Sequence, residues 1–125
     1  MPTYRITTEA VFTASHALRL PDGSYEPTHS HDWPVAVTVE SGKLDAMACV
    51  MDFHELERIV AAVIKPWHGK HLNDVPPFAG EAINPSAERV AEQIALAVAG
   101  QLPDGVSLVE TRIGEAKGCT AVYLS

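Results

Sequence analysis

The apolar residues of this chain change their period twice, from two to about three and a half and back to two, and that change limits the folds open to it. From Tyr4 to Phe12, the residues Tyr4, Ile6, Ala10 and Phe12 share one parity, while Arg5, Thr7 and Glu9 share the other. Alternation of this kind predicts a strand with one face buried. A turn-rich stretch, Pro21 to Thr28, follows as a loop. A second strand is predicted from about His29 to Glu40, with Val35, Val37 and Val39 on one face. Ser41-Gly42-Lys43 then reads as a turn into a third strand, Leu44 to Met51, and so as a hairpin. At Phe53 the period lengthens: Phe53, Leu56, Ile59, Val60, Val63 and Ile64 form the apolar stripe of a helix. Asp52 suits its N-cap, with Glu55 placed for a capping box, and Pro66 ends it. Trp67 to Ile83 reads as a long loop, a kind of segment that tends to carry function. A second helix is expected from Asn84 or Ser86, with Pro85 in its first turn, through Val90, Ile94 and Val98 to Gly100. Strands at about Val106–Ile113 and Thr120–Leu124 close the chain. Strands at both ends with helices between them indicate an α+β fold built on an antiparallel sheet.

Length and charge narrow the function classes. At 125 residues, without linker, repeat or low-complexity stretch, the chain is expected to be a single domain, residues 1–125. A net charge of −7, with Lys and Arg scattered singly, argues against a nucleic-acid partner. No apolar run approaches the roughly 20 residues that cross a bilayer, so no membrane partner is expected. The opening MPTYRITTEAVF lacks a basic segment followed by an apolar one, so no secretory signal is expected. Cys49 and Cys119 have the option of one disulfide, but a cytoplasmic location, with reduced thiols, is the expectation. Cys49, within the expected third strand, reads as core.

Three histidines supply the chemistry. His29 and His31 stand two apart at a strand start, so both rings leave the same face, roughly 7 Å apart along the chain. Pairing of the first two strands would bring His16 beside them. Three neutral imidazoles suit Zn²⁺, and a fourth position left to water or substrate is the pattern of a catalytic site. Exposed strand-end histidines are the plainer reading of the same spacing.

Motifs along nearly the whole chain add a family resemblance. FTASHAL, HSHDWPVAVTVESGKLD, MDFHEL, HLNDVPPF, NPSAERVAEQIA and VETRIGEAKGCTAVY occur in an order similar to the 6-pyruvoyl-tetrahydropterin synthase and 6-carboxytetrahydropterin synthase family. The resemblance implies the tunnelling fold, a four-stranded antiparallel sheet with two helices on one face that assembles into oligomeric barrels, as a trimer or a hexamer of two stacked trimers. It implies zinc on His16, His29 and His31, a small-molecule pterin as partner, and an active site at a subunit interface. Ser30 stands where the family usually has Gly. The family's pterin-anchoring glutamate falls on Glu110, whose two oxygens suit the amino and ring N–H donors of a pterin. Glu88 matches a further family position, and a negative charge in a first helical turn reads as structural.

Two departures bear on activity. The catalytic cysteine usual before the H-x-H motif is absent from Gly23–Thr28, leaving Glu26 as the nearest proton acceptor. A subgroup of the family has glutamate in place of that cysteine, and is associated with cleaving the side chain of 7,8-dihydroneopterin to give 6-hydroxymethyl-dihydropterin. The family's Asp-His pair falls here on His68 and Gly69, which leaves His68 or His71 as candidate proton carriers. The resemblance therefore implies a zinc-dependent lyase acting on 7,8-dihydroneopterin or its triphosphate, with Glu26, His68 and His71 as catalytic candidates. The competing reading is a divergent or inactive zinc- and pterin- or purine-binding homologue.

Overall fold

A computed structural model describes residues 2–125. Its elements are β1 (Tyr4–His16), β2 (His29–Ser41), α1 (Phe53–Ile64), β3 (Lys70–His71), α2 (Ala87–Ala99), β4 (Ser107–Ala116) and β5 (Cys119–Leu124). They form one sheet in the order β3-β1-β2-β4-β5. Every pairing is antiparallel except that of β1 with β3. The sheet is thus five-stranded and mixed rather than four-stranded and antiparallel, because two residues of the long loop, Lys70 and His71, add to the edge of β1 opposite Ala14 and Ser15. No helix among the described residues is long and apolar enough to cross a membrane.

Alternation decides which face is covered. Phe12, Ala14 and His16 of β1 and Trp33, Val35, Val37 and Val39 of β2 are buried on one side. Leu56, Ile59, Val60 and Ile64 of α1 and Val90, Ala91, Ile94 and Val98 of α2 close over that side as a single core. The opposite face keeps polar pairs: Arg5 with Glu40 at 2.9 Å, and Thr7 with Thr38 at 2.7 Å. The stacked Phe12–Trp33 pair, ring centroids 5.7 Å apart, sits at the end of the core nearest the histidines.

The expected third strand does not form. The Asp45 carboxylate accepts from the N–H groups of Met47 and Cys49, and the Asp45 N–H donates to the Cys49 carbonyl, so residues 44–51 curl instead of extending. Cys49 is half-buried in that turn, not in a strand core, and both cysteines are free thiols. At α1, Asp52 caps as expected, accepting from His54 N–H, whereas Glu55 turns away to Arg58 instead of completing a capping box. α2 takes the later of the two expected starts. Ser86 is its N-cap, accepting from Arg89 N–H, and Pro85 lies outside the helix, where its carbonyl is free for another role. Asn84 does not cap α2 because its side-chain amide bonds both ways to the Arg19 backbone.

Removing the Ser86 hydroxyl orphans an α2 N–H. Ser86→Ala is expected to cost about 1 kcal/mol in urea denaturation; an unchanged midpoint would deny the cap any weight.

Candidate metal centre and its cleft

The full-length register of β1 with β2 sets His16 directly opposite His29, with His31 opposite Ala14. All three rings leave the core face of the sheet just past Trp33. The His31 ring stacks on Trp33 at 4.3 Å, and His16 meets it edge-on at 4.7 Å, so the indole separates the histidines from the core. β4 contributes a fourth group. Thr111 and Ile113 are buried on the core face, so alternation points Glu115 the same way, toward the histidines. Gly114 lets the strand lie close to β2: a Cβ there would sit 3.1 Å from the Pro34 ring.

His16 Nε2 lies 2.9 Å from His29 Nε2 and 3.3 Å from Glu115 Oε1. Glu115 Oε1 is 3.5 Å from His29 Nε2, and Glu115 Oε2 is 3.2 Å from His31 Nε2. One donor atom from each of the four residues lies within 4.8 Å of every other.

Hydrogen bonds to backbone carbonyls orient two of the rings. His16 Nδ1 donates to the Pro85 carbonyl at 2.7 Å, and His31 Nδ1 donates to the Asp32 carbonyl at 2.7 Å. A carbonyl only accepts, so both Nδ1 atoms carry the proton and each neutral ring turns an Nε2 lone pair into the cluster. Burial, the largest influence, holds the His16 pKa below the ordinary 6.5, against the opposing pull of the Pro85 carbonyl and of Glu115. His31 Nε2 and Glu115 Oε2 are buried without a hydrogen-bond partner. Two acceptors so placed need a cation between them, either a proton or a metal ion. The spacings resemble the about 3.3 Å edges of a tetrahedron of donors lying about 2.0–2.1 Å from a central Zn²⁺. The residues therefore fit a divalent metal with nitrogen and oxygen ligands.

The resemblance places the family's pterin-anchoring glutamate on Glu110 and gives no role to Glu115. Glu110 pairs with Thr38, seven residues along β2 from His31, or about 23 Å. It also lies on the face opposite Thr111, where its carboxylate is 3.5 Å from Arg112. Within one chain, Glu110 does not reach the histidines. The signal that would have found Glu115 is the alternation Thr111, Ile113, Glu115 carried one step past the last apolar residue.

The catalytic candidates separate. Glu26 is held at the metal end of the sheet, where Leu18 N–H donates to its Oε1 at 3.1 Å and its own N–H donates to the Leu18 carbonyl at 3.0 Å. His71 hydrogen-bonds through Nδ1 to the Ser15 hydroxyl at 2.8 Å and lines a cleft of about 290 Å³. Ala17 and Thr28, each adjacent in sequence to a histidine of the cluster, and Pro85 border the same cleft. His68 stands apart. Its Nδ1 accepts from Thr13 N–H at 3.1 Å, and Gly69 N–H donates to the Thr13 carbonyl at 2.7 Å, so the two residues seal the edge of β1. Gly69 has φ +73°, a conformation that costs any other residue, so the loop is not shaped for the histidine expected there.

Comparison with known proteins agrees with this architecture. The family model of 6-pyruvoyl tetrahydropterin synthase matches residues 5–125. The chain belongs to the 6-pyruvoyl tetrahydropterin synthase family. It is 31% identical over 111 residues to a dihydroneopterin monophosphate aldolase of Pyrococcus furiosus, covering 89% of each chain. Its fold superimposes on the 6-pyruvoyl tetrahydropterin synthase of Caenorhabditis elegans with a TM-score of 0.84 at 20% identity, covering 100% of this chain and 97% of that one. A Plasmodium vivax synthase in which a catalytic glutamate is replaced by alanine gives 0.77 at 14% identity, covering 98% of each.

Metal affinity should fall as pH drops through and below about 6.5, because protons compete for the imidazole lone pairs. Chelator competition across pH 5–8 measures this, and a flat profile would exclude the histidines as ligands. The metal-free protein should also lose stability as pH falls below 6.5. There the unfolded chain takes up a proton that buried His16 resists.

Proposed function

We propose that this chain is a metal-dependent lyase acting on the side chain of a reduced pterin, 7,8-dihydroneopterin or one of its phosphate esters. The observation that carries the reading is the convergence of three imidazoles and one carboxylate, beside a cleft bordered by neighbours of those histidines, in a member of a pterin-synthase family. Its likeness to an aldolase supports side-chain cleavage over the synthase reaction, as does the lack of a cysteine before the H-x-H motif. His16, His29 and His31 would hold zinc. When bound, the ion would supply Lewis-acid polarisation of the substrate's side-chain oxygens.

The remaining work falls to the chain's own groups. Glu115 closes the cluster at rest and, turned toward substrate, offers two acceptor oxygens to the amino and ring N–H donors of the pterin. That assigns the ring-gripping role to Glu115 in place of Glu110. Cleavage requires a base to take the proton from the side-chain hydroxyl on the second carbon from the ring. The bond between the first and second carbons breaks, its electrons enter the ring's C=N system, and the second and third carbons leave as a two-carbon hydroxyaldehyde or its phosphate ester. A proton then returns to carbon. Glu26 is the assigned base, and the catalytic glutamate of the P. vivax synthase is consistent with that role. His71, held by Ser15, is the assigned proton donor. His68 is assigned to the sheet edge. Trimeric or hexameric assembly belongs to the same reading: apart from Ala14 and Ser15, the outer edge of β1 has no strand partner among the described residues.

A second reading is favoured by one observation, the replacement of the family's Asp-His pair by His68 and a left-handed Gly69. It makes the chain a pterin-binding homologue without turnover. Product analysis after mixing zinc-loaded protein with 7,8-dihydroneopterin separates the two, since binding without a new pterin product supports the second. Under the first, Glu26→Ala should lower kcat by about 10²-fold with metal content unchanged. Unaltered kcat would remove Glu26 from the mechanism. Glu115→Gln should retain metal on the three histidines yet weaken pterin binding at least about tenfold. Loss of metal with intact pterin affinity would make Glu115 a ligand only.

A further inference from the structure

The cleft beside the metal cluster carries an unusual balance of charge for a site that would receive a phosphate ester. Among the described residues Arg19 is the only Arg or Lys lining it, and Asp74 and Glu81 line it too. Arg19 is already engaged: Nη1 donates to the Glu81 carbonyl at 3.0 Å and lies 4.0 Å from the Glu81 carboxylate. The Tyr25 hydroxyl donates to the other oxygen of that carboxylate at 2.8 Å. Glu81 itself has φ +64°, a backbone state that a non-glycine residue adopts at a cost and that these three contacts offset. Arg19 and Tyr25 therefore face a carboxylate that the chain itself supplies. With Asp74 added, the formal charge of the lining is negative. The polar groups left to a ligand are hydroxyl-sized partners, among them Thr28 and the His71 ring, whose Nδ1 is taken by Ser15.

We propose that this cleft selects the unphosphorylated trihydroxypropyl side chain of the pterin and rejects its phosphate esters, with Glu81 and Asp74 as the specificity-determining residues. The inference rests on the pterin-lyase reading and narrows its substrate class. A neutral polyol exchanges hydrogen bonds with carboxylates and amides, as the Glu81–Tyr25 contact does with a phenol. A phosphate brings up to two negative charges against Asp74 and Glu81, and it reaches Arg19 only by displacing Glu81. The P. furiosus relative is named for a monophosphate, so the rule would separate this chain from it.

The test uses oxidised neopterin, its monophosphate and its triphosphate as non-reacting probes of the zinc-loaded, full-length protein, with binding followed by pterin fluorescence at low salt. Affinity should fall in that order, with free neopterin at least about tenfold tighter than the triphosphate, and the gap should narrow as salt rises. The double variant Asp74→Asn, Glu81→Gln keeps an acceptor for Tyr25 and removes the carboxylate charge facing Arg19. It should raise triphosphate affinity at least about tenfold and change that of free neopterin less than about threefold. Tighter triphosphate binding by the unaltered protein overturns the inference, as does an unchanged affinity ratio in the double variant. Either result leaves the pterin reading standing. Failure of all three probes to bind overturns both together.

Discussion

The hydrogen bond from His16 Nδ1 to the Pro85 carbonyl is the contact on which the site depends. It ties the end of β1 to the residue just before the cap of α2, and it fixes the tautomer that turns Nε2 toward His29 and Glu115. Without it, His16 would be a buried imidazole free to present either nitrogen. The placement of Pro85 outside α2 is what makes the bond available, since a carbonyl inside the helix would be committed to the helical ladder. The cap at Ser86 thus has a consequence for chemistry as well as for stability.

Around that bond, the site is assembled from strand register rather than from a designed loop. β1 and β2 pair without interruption from Tyr4–Ser41 to His16–His29, so the histidines meet because two strands of equal length end together. Trp33 closes the core beneath them, and its indole N–H is satisfied by the Ala14 carbonyl. The chain beyond His16 is then held in place by two asparagines that mimic strand partners. Asn73 bonds both ways to the Ala17 backbone, and Asn84 does the same for Arg19. These clamps shape the cleft, because its walls are the loops they join.

Much of this was legible in the sequence where a period was long and clean. The β1 and β2 strands, the apolar stripes of both helices and the shared face of His29 and His31 all follow from spacing alone. The sequence misleads where side chains compete with the backbone. Asp45 draws in two N–H groups and curls a stretch that alternates like a strand, and Asn84 spends its amide on Arg19 rather than on a helix cap. The two-residue β3 is too short for any periodic signal. That Glu115 and not Glu110 reaches the histidines within the chain has a related cause. Glu110 and Glu115 are five residues apart, so they face opposite sides of the sheet, and a β-irregularity at Thr38/Val39 resets which parity of β4 is buried. The departures at positions 68 and 69 were legible as residues, but their meaning was not. His68 and Gly69 together seal an edge of β1 that would otherwise expose Thr13.

The central claim is that the four groups at the end of the sheet surround one divalent cation. X-ray absorption at the zinc edge, on protein whose metal content has been quantified, tests it most directly. The account predicts one ion per chain, with a first shell of three imidazole nitrogens completed by oxygen at about 2.0–2.1 Å. A shell containing sulfur, or no stoichiometric metal after loading at neutral pH, would contradict it.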